Sequence, residues 1–348
     1  MRRACLSLCF LFPFFASVSG QGGGPALRVS VGGGYMMPNN MRYSRYSSPI
    51  FGLDAALLWR PGGESYWQRF WNHPSFGVKA LYTRIPGAVA GDWFGLEGII
   101  VTPLGSRWEW EWGVGLSFYT RPRGLTGDTN NVFIGSVVNC LIDLGIGYRL
   151  SEAATLSLRL LHTSNGMLRR PNLGLNYLQL DLGWKFGGSG SVESGAGYAG
   201  EETEREREWS VALSGGTVMS RDSLMEGYYP CYDLSFCFQR YVNPVFAFGG
   251  AIDLWYNGSD RELILRDESD YRLPVYLSGM GCMELFWGPV SLKVGVGLVV
   301  AASNQVVNPV YERVGAYYNF GRNFLGVAVN AHGGRVEFIE WTYGRRFF

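Results

Sequence analysis

Apolar side chains recur at every second position along most of this chain, and short clusters of Gly, Pro, Asn, Asp and Ser interrupt them. A period of two marks β-strands with one apolar and one polar face. The pattern predicts eight strands at Ala26–Met36, Ile50–Arg60, Phe76–Arg84, Trp93–Leu104, Trp108–Thr120, Val132–Leu150, Ala154–Ser164 and Leu175–Phe186. Eight more follow at Trp209–Asp222, Tyr229–Tyr241, Val245–Tyr256, Pro274–Phe286, Val290–Ala302, Val310–Phe320, Phe324–His332 and Val336–Phe348. Alternate connections are very short (Gly105–Arg107, Ser151–Ala153, Asn243–Pro244, Trp287–Pro289, Gly321–Asn323), whereas many of those between them are longer and more polar. An even strand number with short turns at one end and long loops at the other is the pattern of an antiparallel outer-membrane β-barrel. It places both termini in the periplasm and the long loops outside the cell. Pro61–His73 is the exception, because its 13 residues fall on the short-turn side.

The ends and the middle of the chain read differently. Arg2 and Arg3 precede an apolar run from Ala4 to Ala16 and then small residues, which predicts a cleaved signal peptide over residues 1–20. Residues 188–208 are Gly/Ser-rich and end in alternating Glu and Arg, a solvated linker. They separate eight-strand units at 22–187 and 209–348. The two units look alike: Tyr148 precedes His162 by the same 14 residues that separate Tyr318 from His332, and Tyr177–Phe186 parallels Phe338–Phe347. This predicts an internal duplication. One continuous barrel of about 16 strands is the preferred closure, with two tandem eight-stranded barrels as the alternative. The aromatic terminus, Phe347 and Phe348, suits an outer-membrane protein.

Charge and composition narrow the function. Thirty Lys and Arg against 29 Asp and Glu leave a net charge of +1, too little basic surplus for a nucleic-acid binder. No uncharged apolar run of about 20 residues occurs, which excludes a helical membrane span. Cys5 and Cys9 fall in the signal peptide. Cys140, Cys231, Cys237 and Cys282 read as buried or lipid-facing single thiols, because Cys231 and Cys237 would stand about 20 Å apart on one strand. No zinc spacing, phosphate loop or dinucleotide fingerprint appears, so neither a cofactor nor a metal is expected. Asp260, Glu262, Asp267, Glu268 and Asp270 form a solvated acidic loop, and His73 lies among aromatics as an interfacial anchor.

One constellation carries chemistry. Because successive side chains on a strand point to opposite faces, Leu156, Leu158, Leu160, His162 and Ser164 share the more apolar face of the seventh strand. Asn176 lines up with Leu178, Leu180, Leu182, Trp184 and Phe186 on the eighth. Such polar groups at the loop end of a lipid-facing surface are unfavourable unless they bond to one another. The segment His162-Thr163-Ser164-Asn165-Gly166 through Pro171-Asn172-Leu173-Gly174, with Asn131-Val132-Phe133-Ile134-Gly135-Ser136, resembles the outer-membrane lipid A 3-O-deacylases of the PagL type and the broader acyloxyacyl hydrolases. The resemblance covers roughly Ala26 to Phe186. It implies an esterase in the outer membrane of a Gram-negative bacterium that removes an acyl chain from lipid A. His162 would be the base and Ser164 the nucleophile, with Asn165, Gly166 and Asn172 supporting the oxyanion. Arg169 and Arg170 would face lipid A phosphates. Where that family's triad has a Glu, this chain has Asn176, which can orient an imidazole but cannot balance its charge. The competing reading is a non-catalytic barrel, a pore or a scaffold, with a decayed motif. Inward Arg159, Asp181 and Lys185 would suit either a plugged or a water-filled lumen. His332 occupies the repeat position of His162, with Gly334 in place of a nucleophile.

Overall fold

The structure, a computed structural model, describes residues 24–38, 41–62, 65–188, 206–219, 227–261, 274–302, 309–333 and 335–348. The expected signal peptide, nearly all of the linker, Gly334 and all of the acidic loop but Asp260 lie outside the described residues. Strands β1 (Ala26–Pro38), β2 (Ser48–Trp59), β3 (Ser75–Arg84), β4 (Trp93–Leu104), β5 (Trp108–Tyr119), β6 (Val138–Arg149), β7 (Ala154–Ser164) and β8 (Leu175–Gly187) close into one antiparallel barrel. Strands β9 (Arg207–Met219), β10 (Tyr228–Asn243), β11 (Phe246–Asn257), β12 (Val275–Trp287), β13 (Val290–Ala302), β14 (Val310–Phe320), β15 (Asn323–His332) and β16 (Arg335–Phe347) close into a second. The all-β, sixteen-strand reading therefore holds, and the single continuous closure is corrected to the tandem alternative. The reason lies in the edges. β8 gives its free edge to β1, from Ala26 opposite Gly187 to Pro38 opposite Leu175, so no edge remains for β9. β9 in turn pairs with β16.

Eight strands enclose an interior just wide enough for side chains to fill, and the first barrel fills it with charge. Lys79 is fully buried, with its ammonium 2.5 Å from Asp143 Oδ2, 2.6 Å from Glu111 Oε1 and 2.7 Å from Glu97 Oε1. Arg159 bonds Asp143 and reaches Asp54 at 2.8 Å and Asp181 at 3.3 Å. Arg28 closes the short-turn end of the layer on Glu111. Small inward residues make room: a Cβ at Gly34 would strike the backbone of β8. The lumen of the first barrel is thus filled by paired charges rather than by water. Lys185 takes no part in the plug and sits exposed near the end of β8. Leu156, Leu158, Leu160, Leu178, Leu180 and Leu182 all point outward and are exposed, as a lipid-facing band requires.

Two connections depart from expectation. β6 begins at Val138 rather than Val132 because residues 131–137 fold as a loop. Asn131 accepts the Phe133 and Ile134 N–H groups on its side-chain oxygen and donates to Arg121 O at 2.9 Å. Phe133 and Ile134 are then buried with Tyr43 and Tyr46, so their apolarity serves a loop core, not a strand. The long turn after β2 holds its own helix, α1 (Tyr66–Phe70), capped by Ser65 and Gln68. His73 N–H bonds Gln68 O at 2.6 Å just past this aromatic helix.

The duplicated histidine lands on the other face. Tyr148 pairs with Leu156, and His162 follows six residues later on the same face. Tyr318 pairs with Leu325, leaving His332 seven residues on and therefore on the opposite face. His332 accordingly points into its barrel, 3.3 Å from Glu337 and beside the rings of Trp255 and Tyr311. The repeat of spacing is real in the chain but does not repeat the site.

Replacing Arg159 by Met leaves Asp143, Asp54 and Asp181 short of a buried counter-charge, and removal of one partner from such a cluster costs about 3–5 kcal/mol. Urea unfolding of the refolded protein in detergent, followed by Trp fluorescence, should show a loss of unfolding free energy of that size, while Arg169→Met at the exposed loop should leave it unchanged.

Candidate active site

The site forms where β7 and β8 leave the band of outward leucines. Cα pairing sets His162 directly opposite Asn176, and the side chains meet: His162 Nδ1 is 2.7 Å from Asn176 Oδ1. Since an amide oxygen only accepts, the imidazole carries its proton on Nδ1 and turns a proton-free Nε2 away from the amide. Ser164 stands one pleat further along the same face of β7 and is 94% shielded from solvent, against a half-buried His162. Cys140 and Ile142 of β6 flank Ser164 and His162 from the other side.

Opposite faces of the same strands are locked from within. Thr163, between His162 and Ser164, points inward and shares a 2.5 Å bond with Tyr119, whose hydroxyl also meets Tyr177 at 2.6 Å. Tyr177 is the residue after Asn176, and Trp93 packs on both tyrosine rings. A buried aromatic layer therefore fixes the two backbones that carry His162 and Asn176. Sequence reasoning missed it. The signal was present, because inward aromatics alternate with the outward polar residues at one end of these strands.

The loop 165–174 closes the site. Asn165 is almost fully buried, and its donors are all engaged. Its backbone N–H bonds Asn172 Oδ1 at 2.8 Å, and its side-chain NH₂ bonds Arg169 O at 2.8 Å and Ser136 Oγ at 2.9 Å. This last bond joins the two motif segments, 29 residues apart in the chain. Gly135 makes the contact close, since a Cβ there would strike the backbone of Arg170 and Pro171. Gly166 and Gly174 both take positive φ, at 59° and 69°. Asn172 uses its oxygen on Asn165, which leaves its NH₂ group as a donor at the loop. Arg169 is exposed, with its guanidinium 3.4 Å from Gly124 O, and Arg170 is partly exposed. Among the described residues no group of three or more His, Cys, Asp or Glu could hold a metal ion.

In the second barrel His332 stands in register with Arg335, three residues on, whereas His162 stands in register with Asn176, fourteen residues on.

Comparison with known proteins gives matches to both halves. Residues 53–185 match the family described as lipid A 3-O-deacylase (PagL), and residues 207–348 match the family described as acyloxyacyl hydrolase, C-terminal domain. No curated protein matches the chain. Among solved structures, the outer membrane enzyme PagL aligns at 20% identity over 46% of this chain and 98% of its own, with a TM-score of 0.34. A mutant of the porin from Rh. blastica aligns at 10% identity over 93% of this chain and all of its own, with a TM-score of 0.22. The siderophore receptor PirA from Pseudomonas aeruginosa aligns at 12% identity, covering 92% of this chain and 59% of its own, with a TM-score of 0.27. The first barrel thus belongs to the family of lipid A 3-O-deacylase (PagL) domains, and the second to that of acyloxyacyl hydrolase C-terminal domains.

Proposed function

We propose that this protein is an esterase of the Gram-negative outer membrane that removes an ester-linked acyl chain from lipid A, with Ser164 as nucleophile and His162 as general base. The observation that carries the reading is the 2.7 Å bond between His162 Nδ1 and Asn176 Oδ1. It holds the tautomer in which Nε2 is ready to accept the Ser164 proton. Ser164 attacks the acyl carbonyl, the alcohol of the sugar leaves, and water releases the fatty acid from the acyl-enzyme. The oxyanion falls to the Asn172 NH₂ and the Gly166 N–H. Asn165, whose donors are spent on the loop itself, supports the oxyanion indirectly by holding both in place. The substrate reaches an outward-facing site laterally, within the lipid leaflet, and its acyl chains lie against Leu160, Leu178 and Ile142. Arg169 and Arg170 meet the phosphates.

A second reading, a scaffold with a decayed site, is favoured by one observation: an amide stands where a charged acid would stabilise the imidazolium. In a serine triad that exchange lowers turnover by about 10⁴. Incubation of the refolded protein with lipid A, read by mass spectrometry for loss of one acyl chain, separates the two. Wild type should release fatty acid, Ser164→Ala and His162→Ala should abolish release, and Asn176→Glu should raise it at least tenfold. Asn176→Leu should lower it, because the tautomer is no longer held. A silent wild type beside an active Asn176→Glu selects the decayed site, and release from phospholipids alone overturns lipid A as the substrate.

The role given to Asn165 has its own test. Asn165→Ala removes the side-chain bonds to Ser136 and Arg169, so trypsin should cut at Arg169 at least tenfold faster than in wild type. Turnover should fall with little change in KM. Unchanged cleavage would place the stability of the loop elsewhere.

A further inference from the structure

The lumen of the second barrel holds a feature that the deacylase reading does not use. Cys237 of β10 and Cys282 of β12 both point inward, with their sulfurs 3.7 Å apart. They meet across β11, where their register neighbours are the small residues Ala251 and Gly249. At a strand spacing of about 4.8 Å, thiols two strands apart have Cα atoms roughly 9–10 Å apart. A disulfide needs about 4.4–6.8 Å, so the rigid barrel keeps both sulfurs side by side and reduced. Met280 lies two residues before Cys282 on the same face and packs in the same buried cluster. Met280 and Cys237 both line a cavity in this lumen, with Lys293 on its wall and Lys293 Nζ 3.1 Å from Cys237 Sγ.

We propose that Cys237, Cys282 and Met280 form a three-sulfur site for a soft monovalent cation, copper(I) or its analogue silver(I). Thiolate and thioether donors select such ions over harder ones. Two sulfurs 3.7 Å apart, each about 2.3 Å from a metal, subtend an angle of about 107°, which suits a site completed by a third sulfur rather than a linear pair. The binding step balances without redox change: two thiols and one monovalent cation give a bis-thiolate complex of charge −1 and release two protons. Lys293 then supplies the matching positive charge, so the loaded site is neutral inside a low-dielectric barrel. The inference stands independently of the esterase reading.

The test uses the full-length protein in detergent under anaerobic conditions, titrated with copper(I) against a chromogenic copper(I) chelator. Wild type should bind one copper per chain. Cys237→Ser or Cys282→Ser should weaken binding at least 100-fold and Met280→Leu about tenfold, whereas Cys231→Ser and Cys140→Ser should leave it unchanged. X-ray absorption of the copper-loaded wild type should show a shell of sulfur alone, a readout that needs no variant and decides the matter if a substituted barrel fails to close. No stoichiometric binding by wild type, equal binding by the two serine variants, or a shell of nitrogen and oxygen would each overturn the proposal.

Discussion

Parity is the constraint on which this molecule depends. A closed eight-stranded sheet offers each residue only two destinations, a lumen barely wide enough for side chains or the outer surface. In the first barrel the inward positions carry a buried ion cluster centred on Lys79 and Arg159, and the outward positions carry leucines. The cluster makes the interior solid, so the strands present a fixed template to the outside. His162 and Asn176 occupy outward positions directly opposite one another, held there by the barrel's register. The arrangement also explains why polar groups persist on an apolar wall: each answers the other's hydrogen-bonding need.

Much of this was legible in the chain because a period of two survives any tertiary detail. The strand count, the outward placement of His162, Ser164 and Asn176, and the plugging partners Arg159 and Asp181 all follow from alternation. What escaped were features decided by contacts distant in sequence. Phe133 and Ile134 read as the start of a strand because burial in a loop core demands the same side chains as burial in a sheet. The bond from Asn165 to Ser136 spans two loops, and nothing local to either announces it. Closure as two barrels depends on β1 finding β8 and β9 finding β16, which alternation alone does not dictate. The meeting of Cys237 with Cys282 is of the same kind, since it needs the intervening strand to be known.

Asn176 separates two duties that a carboxylate combines. Its oxygen performs the orienting one at 2.7 Å, and its neutrality forgoes the electrostatic one. On a lipid-facing wall the exchange has a compensating merit, because a carboxylate there would be a charge without counter-ion at rest, whereas an amide is not. Under the proposed mechanism the chain gives up stabilisation of the imidazolium for a ground state that fits its surroundings.

The turn Gly321–Arg322 shows how the length of a turn sorts side chains between the two faces of a strand. Residues that are counted along a ribbon are sorted by it, and a hairpin one residue tighter between Tyr318 and its partner sends everything downstream to the other side. Length changes in turns are commonly regarded as the most innocuous events in barrel evolution. Here a difference of one residue turns His332 into the lumen where His162 faces out. Grafting the missing serine and asparagine onto the second barrel would therefore fail, and a single inserted residue in that turn would have to come first.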